Sequence, residues 1–267
     1  MRRGQDASPG KEGPAPGSLG PRAAGTESTE SVVRRYYDAF SADYDRPRGG
    51  GYHALVDELE VAAVAPWLPG AAVLEIGCGT GLVARRLEAA GAARVVGVDL
   101  SLGMLRKAEG RRVIRVQGSA SSLPFRDAAF DLVCSFKVLP HVPDLDAALS
   151  EARRVVRPGG VLALELYNRF SLRHLARWVA GSRRTSATTR EADIPTRWHT
   201  PAEARQWIRD AGLEWIGVRG IRVALPAAAI VRWPGIGGWM TAVERRLSRS
   251  PGGRLGGFLV VLARRRH

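Results

Sequence analysis

Glu75, Gly77, Gly79 and Gly81 occupy alternate positions of the run V-L-E-I-G-C-G-T-G, Val73 to Gly81. An apolar, strand-like segment ends there in a loop that is glycine at every second residue. Glycine takes positive φ at no steric cost and lets a ligand lie against the main chain. The helical run that follows, G-L-V-A-R-R-L-E-A-A-G, turns its first N–H groups toward whatever the loop holds. Asp99 ends the next apolar run, V-V-G-V-D, eighteen residues past Gly81. A carboxylate at that strand tip can accept hydrogen bonds from both hydroxyls of a ribose. Glycine cradle and acid together imply a nucleoside cofactor. Nicotinamide enzymes use the same geometry, but their G-x-G-x-x-G fingerprint is spaced differently from the E-x-G-x-G-x-G found here. An NAD-dependent oxidoreductase is therefore the disfavoured alternative.

Other side chains could act on a substrate. His141, in V-L-P-H-V-P-D, titrates near neutral pH and could take the proton of an acceptor hydroxyl; shaping a pocket is the competing role. His199 stands between Trp198 and Thr200 and reads as a loop or acceptor-pocket residue. The two cysteines, Cys78 and Cys134, form no C-x-x-C pair. They are too few for a cysteine zinc site, so no metal is expected and both read as small buried apolar residues.

These residues need elements to hold them. Val32, Val33, Tyr36, Tyr37 and Phe40 recur at helical intervals, and a second helix runs over His53–Ala65. Strand and helix then alternate: strands over Ala72–Ile76, Arg94–Val98, Val113–Val116, Asp131–Ser135 and Val161–Leu166, helices over Gly81–Ala90, Leu102–Ala108 and Leu145–Val156. Such crossovers give a parallel sheet covered on both faces. The expectation is an α/β fold, a doubly wound, Rossmann-like, mostly parallel sheet with a C-terminal acceptor-side insertion. Beyond Asn168, Leu172–Val179 reads as a basic helix, Gly181–Thr189 as a polar loop, Thr200–Ala211 as a helix capped by T-P-A-E, and Glu214–Val218 and Gly257–Ala263 as strands.

Composition separates three regions. Residues 1–30 have no aromatic and one leucine, too little apolar surface to offset the entropy of ordering; they are expected to form a disordered leader, with residues 31–267 as the folded domain. Nothing in the leader resembles a secretory signal, and no run is long enough to span a membrane, Val223–Val231 being half the length and broken by Pro226. A cytoplasmic protein is expected. The net charge of +14 divides into +1 over residues 1–168 and +13 over residues 169–267. Arginine outnumbers lysine 37 to 3 throughout, a coding bias rather than a functional choice, but the asymmetry stands apart from it. The basic third also holds Trp178, Trp198, Trp207, Trp215, Trp233 and Trp239. Arginine beside tryptophan suits an interface apolar on one side and anionic on the other, such as an anionic membrane surface or an amphipathic substrate. Core tryptophans within an arginine-rich surface are the equal alternative.

The string E-I-G-C-G-T-G followed by V-D-L-S resembles the class I S-adenosylmethionine-dependent methyltransferases. L-P-F-R-D-A-A-F-D-L-V, V-L-P-H-V-P-D and E-A-R-R-V-V-R-P-G-G-V-L stand where that family places its later motifs. The match covers Tyr36–Leu166, and Y-D-A-F-S-A-D-Y-D, Tyr37 to Asp45, is similar to the opening helix of the quinone-biosynthesis branch. The resemblance implies S-adenosyl-L-methionine as cofactor. It places Glu75, Gly77 and Gly79 at the methionine end, Asp99 on the ribose, Leu100 and Met104 against the adenine, Ser119 and Ala120 beside the base, and Phe136 near the sulfonium. Tyr44 would close over the cofactor or serve as a core tyrosine. The chain departs from the family at Gly118–Ala120, G-S-A where G-D-A is frequent, so a hydroxyl replaces the carboxylate that accepts the adenine amino proton. Nucleic-acid amino-methyltransferases carry an N-P-P-Y type tetrapeptide where this chain reads S-F-K-V, so nucleic acid is not the expected partner. A small, apolar acceptor methylated at oxygen or carbon is expected, a quinol, polyketide or lipid-like molecule, with no obligate protein partner. A non-catalytic S-adenosylmethionine-binding protein is the remaining alternative.

Overall fold

Val73 and Leu74 point to opposite sides of β1 (Ala72–Ile76), and both are fully buried, in different apolar clusters. Val95 and Val96 of β2 (Arg94–Asp99) and Leu132 and Val133 of β4 (Phe130–Ser135) divide in the same way. Alternating side chains with both sets buried mark a sheet covered on each face. The computed structural model describes residues 28–46, 51–108, 113–171, 174, 196–224 and 236–267.

The strand order is β3-β2-β1-β4-β5-β8-β7, with β3 (Ile114–Gln117), β5 (Val156–Asn168), β7 (Leu213–Ile221) and β8 (Phe258–Arg265). Strands β1 to β5 pair in parallel, and β8 runs antiparallel between β5 and β7. The chain moves outward from β1 through β2 to β3 and returns to β4 on the other side of β1. The order therefore reverses between β1 and β4, and ligands of open α/β sheets bind outside the carboxyl ends at such a point. One face is covered by α2 (Gly51–Val64), through Leu55, Leu59 and Ala63, and by α3 (Leu82–Ala89), through Ala84 and Leu87. The other is covered by α5 (Leu145–Val155), through Leu149 and Ala152, and by α6 (Pro201–Asp210), through Ala204 and Ile208. The short α4 (Leu102–Lys107) joins β2 to β3.

The expected elements form with small shifts of their ends. The capping box is present: Thr200 Oγ1 accepts from Glu203 N at 3.1 Å and Glu203 Oε2 accepts from Thr200 N at 2.7 Å. Three findings differ from the sequence reading. The leader expected through residue 30 gives way earlier, because Ser28 caps α1 (Thr29–Phe40) by accepting from Ser31 N; residues 1–27 lie outside the described residues. β5 is longer than expected, and its end pairs in parallel with an unexpected strand, β6 (Trp198–His199). Within residues 169–256, β6, α6 and β7 belong to the sheet and its covering layer, and α7 (Ile236–Ser248) lies against β7 and α2. The basic helix expected at Leu172–Val179 falls outside the described residues except at Ser171's neighbour-but-two, His174, and the loop Gly181–Thr189, Trp178, Trp233 and Pro226 fall outside them altogether.

Some of the surplus arginine is structural. Arg265 donates to the carbonyls of Arg153, Arg154 and Val156 at 2.7–3.0 Å, closing the carboxyl end of α5, and Arg245 of α7 makes a bidentate pair with Glu58 of α2 at 2.9 Å. Of the described tryptophans, Trp207 donates to Asp146 Oδ1 and packs with Trp215 on the core, whereas Trp239 is 65% exposed. Trp207 and Trp215 thus follow the core reading, and Trp239 does not.

Candidate active site at the carboxyl ends of the strands

The loop after β1 is held to β2 by two N–H groups, Gly77 and Cys78, which donate to Val98 O at 2.7 and 3.1 Å. Gly77 has φ +75°, and a Cβ there would stand 2.1 Å from Val138 Cγ2, so only glycine fits. Gly79 N donates to Asp99 Oδ2 and Ser101 N to Asp99 Oδ1, each at 2.8 Å. Each carboxylate oxygen keeps acceptor capacity beyond its backbone donor. Burial pushes the Asp99 carboxyl above its ordinary range, and the two N–H donors oppose that.

A cavity opens here, walled by Gly77, Gly79 and Asp99 on one side and by Leu100, Met104, Gly118 and Ala120 along an apolar slot. The ring of Tyr44 lies over Gly79, whose added Cβ would come within 3.8 Å of Cε1. Phe136, Val138, Val142 and Pro143 line the remaining wall with His141, which sits on a 3₁₀ turn after β4. His141 Nε2 is 3.4 Å from the hydroxyl of Tyr167.

Two of the expected residues stand behind this wall. Ser119 is not among the lining residues, but its hydroxyl donates to Oε1 of Glu30, which is. Glu75 is 3% exposed, with Oε2 buried and unpartnered among the described residues. Burial, and then the neighbouring Glu60 carboxyl, hold the Glu75 pKa well above its ordinary value. His199 is placed in β6, where burial lowers its pKa, and it is not among the cavity residues.

Sequence reasoning missed three contributors. Lys137, at φ +63°, lines the cavity and sends its ammonium to Asp57 Oδ1 at 2.9 Å and Glu60 Oε2 at 3.0 Å, tying α2 to the turn after β4. Tyr37 and Glu30 reach the cavity from α1. The signal for Lys137 was present: in a chain with 37 arginines and 3 lysines, a lysine is the exception. A single compact Nζ here serves both buried carboxylates at once.

Comparison with known proteins gives the same direction. A family model described as "Methyltransferase domain" matches residues 74–164, from within β1 to within β5. The demethylmenaquinone methyltransferase of Mycolicibacterium paratuberculosis is 36% identical over 178 residues, which cover 60% of this chain and 76% of that protein. The 27-O-demethylrifamycin SV methyltransferase of Amycolatopsis mediterranei is 32% identical over 161 residues, covering 52% of this chain and 59% of that protein. Among solved structures, a methyltransferase from Thermotoga maritima superposes with a TM-score of 0.65 at 23% identity, over 88% of this chain and all of that one, and shares the fold. The oxidoreductase alternative gains no support from these relatives. With a glycine loop and a buried carboxylate at the sheet's switch point and relatives of this kind over most of their length, the chain belongs to the class I S-adenosylmethionine-dependent methyltransferases, in the small-molecule branch that resembles the quinone-biosynthesis enzymes.

Proposed function

We propose that the enzyme methylates a small, apolar acceptor at oxygen or carbon, with S-adenosylmethionine held along the cavity from Gly77, in front of Glu75, to the slot beyond Asp99. The carrying observation is one wall of the cavity: Phe136, Val138, Val142 and Pro143 are apolar, and of the titratable groups beside them Lys137 is engaged with Asp57 and Glu60 while His141 stands near the Tyr167 hydroxyl. Such a wall favours an apolar body and can handle one polar proton. The relatives named for demethylmenaquinone and 27-O-demethylrifamycin SV support an acceptor of the quinol or polyketide kind.

The residues present fit the cofactor. A buried, unpartnered carboxylate oxygen at Glu75 suits a cationic amino group, the backbone at Gly77 leaves space that a Cβ would fill, and Asp99 has acceptor capacity for two hydroxyls. On this reading Glu75, Gly77 and Gly79 hold the methionine end, Asp99 the ribose, and Leu100, Met104 and Ala120 the base. Ser119 acts from behind the slot, Phe136 faces the sulfonium end, and Tyr44 covers the loop. When bound, the cofactor supplies an electrophilic methyl group on a sulfonium. The protein's main task is then alignment and the exclusion of water, which Tyr37, Tyr44 and Phe136 provide as bulky walls. His141 accepts the acceptor's proton where a hydroxyl is methylated, and Tyr167 orients its ring.

The two buried, free cysteines suit a reducing, cytoplasmic setting. Contact with an anionic membrane, from which an apolar acceptor could be drawn, fits the exposed Ile236 and Trp239 on α7 and the arginines Arg246 and Arg249 that follow them. The test of the acceptor class is S-adenosylhomocysteine production with a panel of quinols, phenols, polyketides and sterols. Turnover confined to apolar members is expected. Turnover only with charged amines or carboxylates would contradict the reading.

A further inference from the structure

One carboxylate on the cavity wall belongs to none of the recognised motifs. Glu30, in the first turn of α1, lines the same cavity as Leu100, Met104, Gly118 and Ala120. Ser119 Oγ donates to Glu30 Oε1 and accepts from Ser121 N at 3.1 Å. A hydroxyl has a single proton to give, so Ser119 is spent on holding Glu30. The carboxylate so held is acceptor-only and stands beside the apolar slot.

Two further acids, one on α1 and one in the turn after it, are anchored in the same way. Asp38 Oδ1 accepts from Ser101 Oγ at 2.5 Å and from Gly103 N at 2.9 Å, and Asp45 Oδ1 accepts from Thr80 Oγ1 at 2.6 Å. Glu30 and Asp38, about two helical turns apart on α1, and Asp45 in the turn after it meet, in order, hydroxyls of the loops after β3, β2 and β1. The segment buries no residue of α1 fully, so these acid–hydroxyl bonds set its register over the cavity. Asp99 ends β2, and the Ser119 loop follows β3, the next strand outward. A nucleoside whose ribose lies on Asp99 therefore presents its base to the slot beside Glu30.

We propose that Glu30 is the residue that selects adenine, accepting a hydrogen bond from the exocyclic amino group of the base. The inference rests on the reading of the slot as the base site given under Proposed function. Of the groups on the six-position of a purine, an amino group donates, whereas a carbonyl oxygen places lone pairs against the carboxylate. The small Ser119 leaves the room that Glu30 fills, so the carboxylate missing from the G-S-A segment is supplied by another element.

The test is calorimetric titration of the full-length protein with S-adenosylhomocysteine and with its 6-deaminated analogue, S-inosylhomocysteine. A site built around a donor rejects the analogue that lacks it, and the wild type is expected to prefer the adenosyl compound by about 100-fold. In Glu30→Gln the amide can face either base with its oxygen or its nitrogen, so the preference should fall to within about tenfold. The double variant Glu30→Gln with Ser119→Asp should regain it, which excludes a folding defect. Asp38→Asn, which loosens α1 at another point, should weaken both ligands in parallel and leave their ratio unchanged. An unaltered ratio in Glu30→Gln, or a parallel loss like that of Asp38→Asn, overturns the role of Glu30. Failure of the wild type to bind S-adenosylhomocysteine overturns the reading of the slot itself.

Discussion

Glu75→Gln should make the ligand-free enzyme more stable and its cofactor affinity weaker. Glu75 is buried with one oxygen unpartnered, and its pKa is raised first by burial and then by Glu60. A raised folded-state pKa means that the folded protein holds the proton more tightly than the unfolded chain does. Its contribution is fully present below the ordinary carboxylate pKa and is lost as pH rises through the raised value. Each unit of such a shift is worth about 1.4 kcal/mol, and each kcal/mol moves Tm by about 2–4 °C in a chain of this size. A neutral amide of the same volume carries no such loss. Melting of the ligand-free proteins should coincide near pH 4, and the variant should gain on the wild type by several degrees as pH rises toward 8. Calorimetry should show the opposite effect on binding. The cationic amino end of S-adenosylmethionine favours the ionised carboxylate, so wild-type binding releases protons, detected as a dependence of the heat on buffer ionisation enthalpy. In Glu75→Gln that release should vanish, and affinity should fall at least about tenfold. A variant less stable than wild type at pH 8, or one that binds with undiminished affinity, refutes the reasoning.

Lys137→Arg should cost about 3 kcal/mol in urea unfolding, the scale of a broken buried ion pair, because a planar fork must replace the one Nζ that bonds Asp57 and Glu60 together; a loss under 1 kcal/mol would show that the cluster accepts either cation. Removing residues 1–27 should leave cofactor affinity unchanged in calorimetry, while removing residues 1–30 should lower it, because the longer deletion takes the Ser28 cap and Glu30. Replacing Trp239, Arg246 and Arg249 by serine should reduce sedimentation with anionic vesicles at low salt without changing cofactor affinity; equal recovery of the wild type with neutral and anionic vesicles would remove the membrane contact from the account.

What could be read from the sequence was local. That Gly77, Gly79 and Asp99 meet at one cavity was legible because short-range spacing puts them at two strand ends, and the Thr200 cap because its partner is three residues away. Glu30 was absorbed into the leader because the composition of a thirty-residue window hides a helix that starts at Ser28 within it. Its role depends on Ser119, 89 positions distant, and no periodicity carries that. Lys137 pairs with residues 77 and 80 positions away and was visible only as a lysine among arginines. β6 has two residues, too few for any alternation, and exists because β5 extends past its neighbours. The arginine-rich last third was legible as charge but not as structure: Arg245 and Arg265 are engaged with Glu58 and with carbonyl groups at the end of α5.

The central claim, that this cavity is the S-adenosylmethionine site, is tested most directly by titrating S-adenosylhomocysteine into the wild type and Asp99→Ala. Two hydroxyl bonds to a carboxylate are worth about 1.5–3 kcal/mol each, so the variant should bind at least about a hundredfold more weakly, with NAD giving no heat in either protein. Equal affinity of the two proteins for S-adenosylhomocysteine would contradict the account.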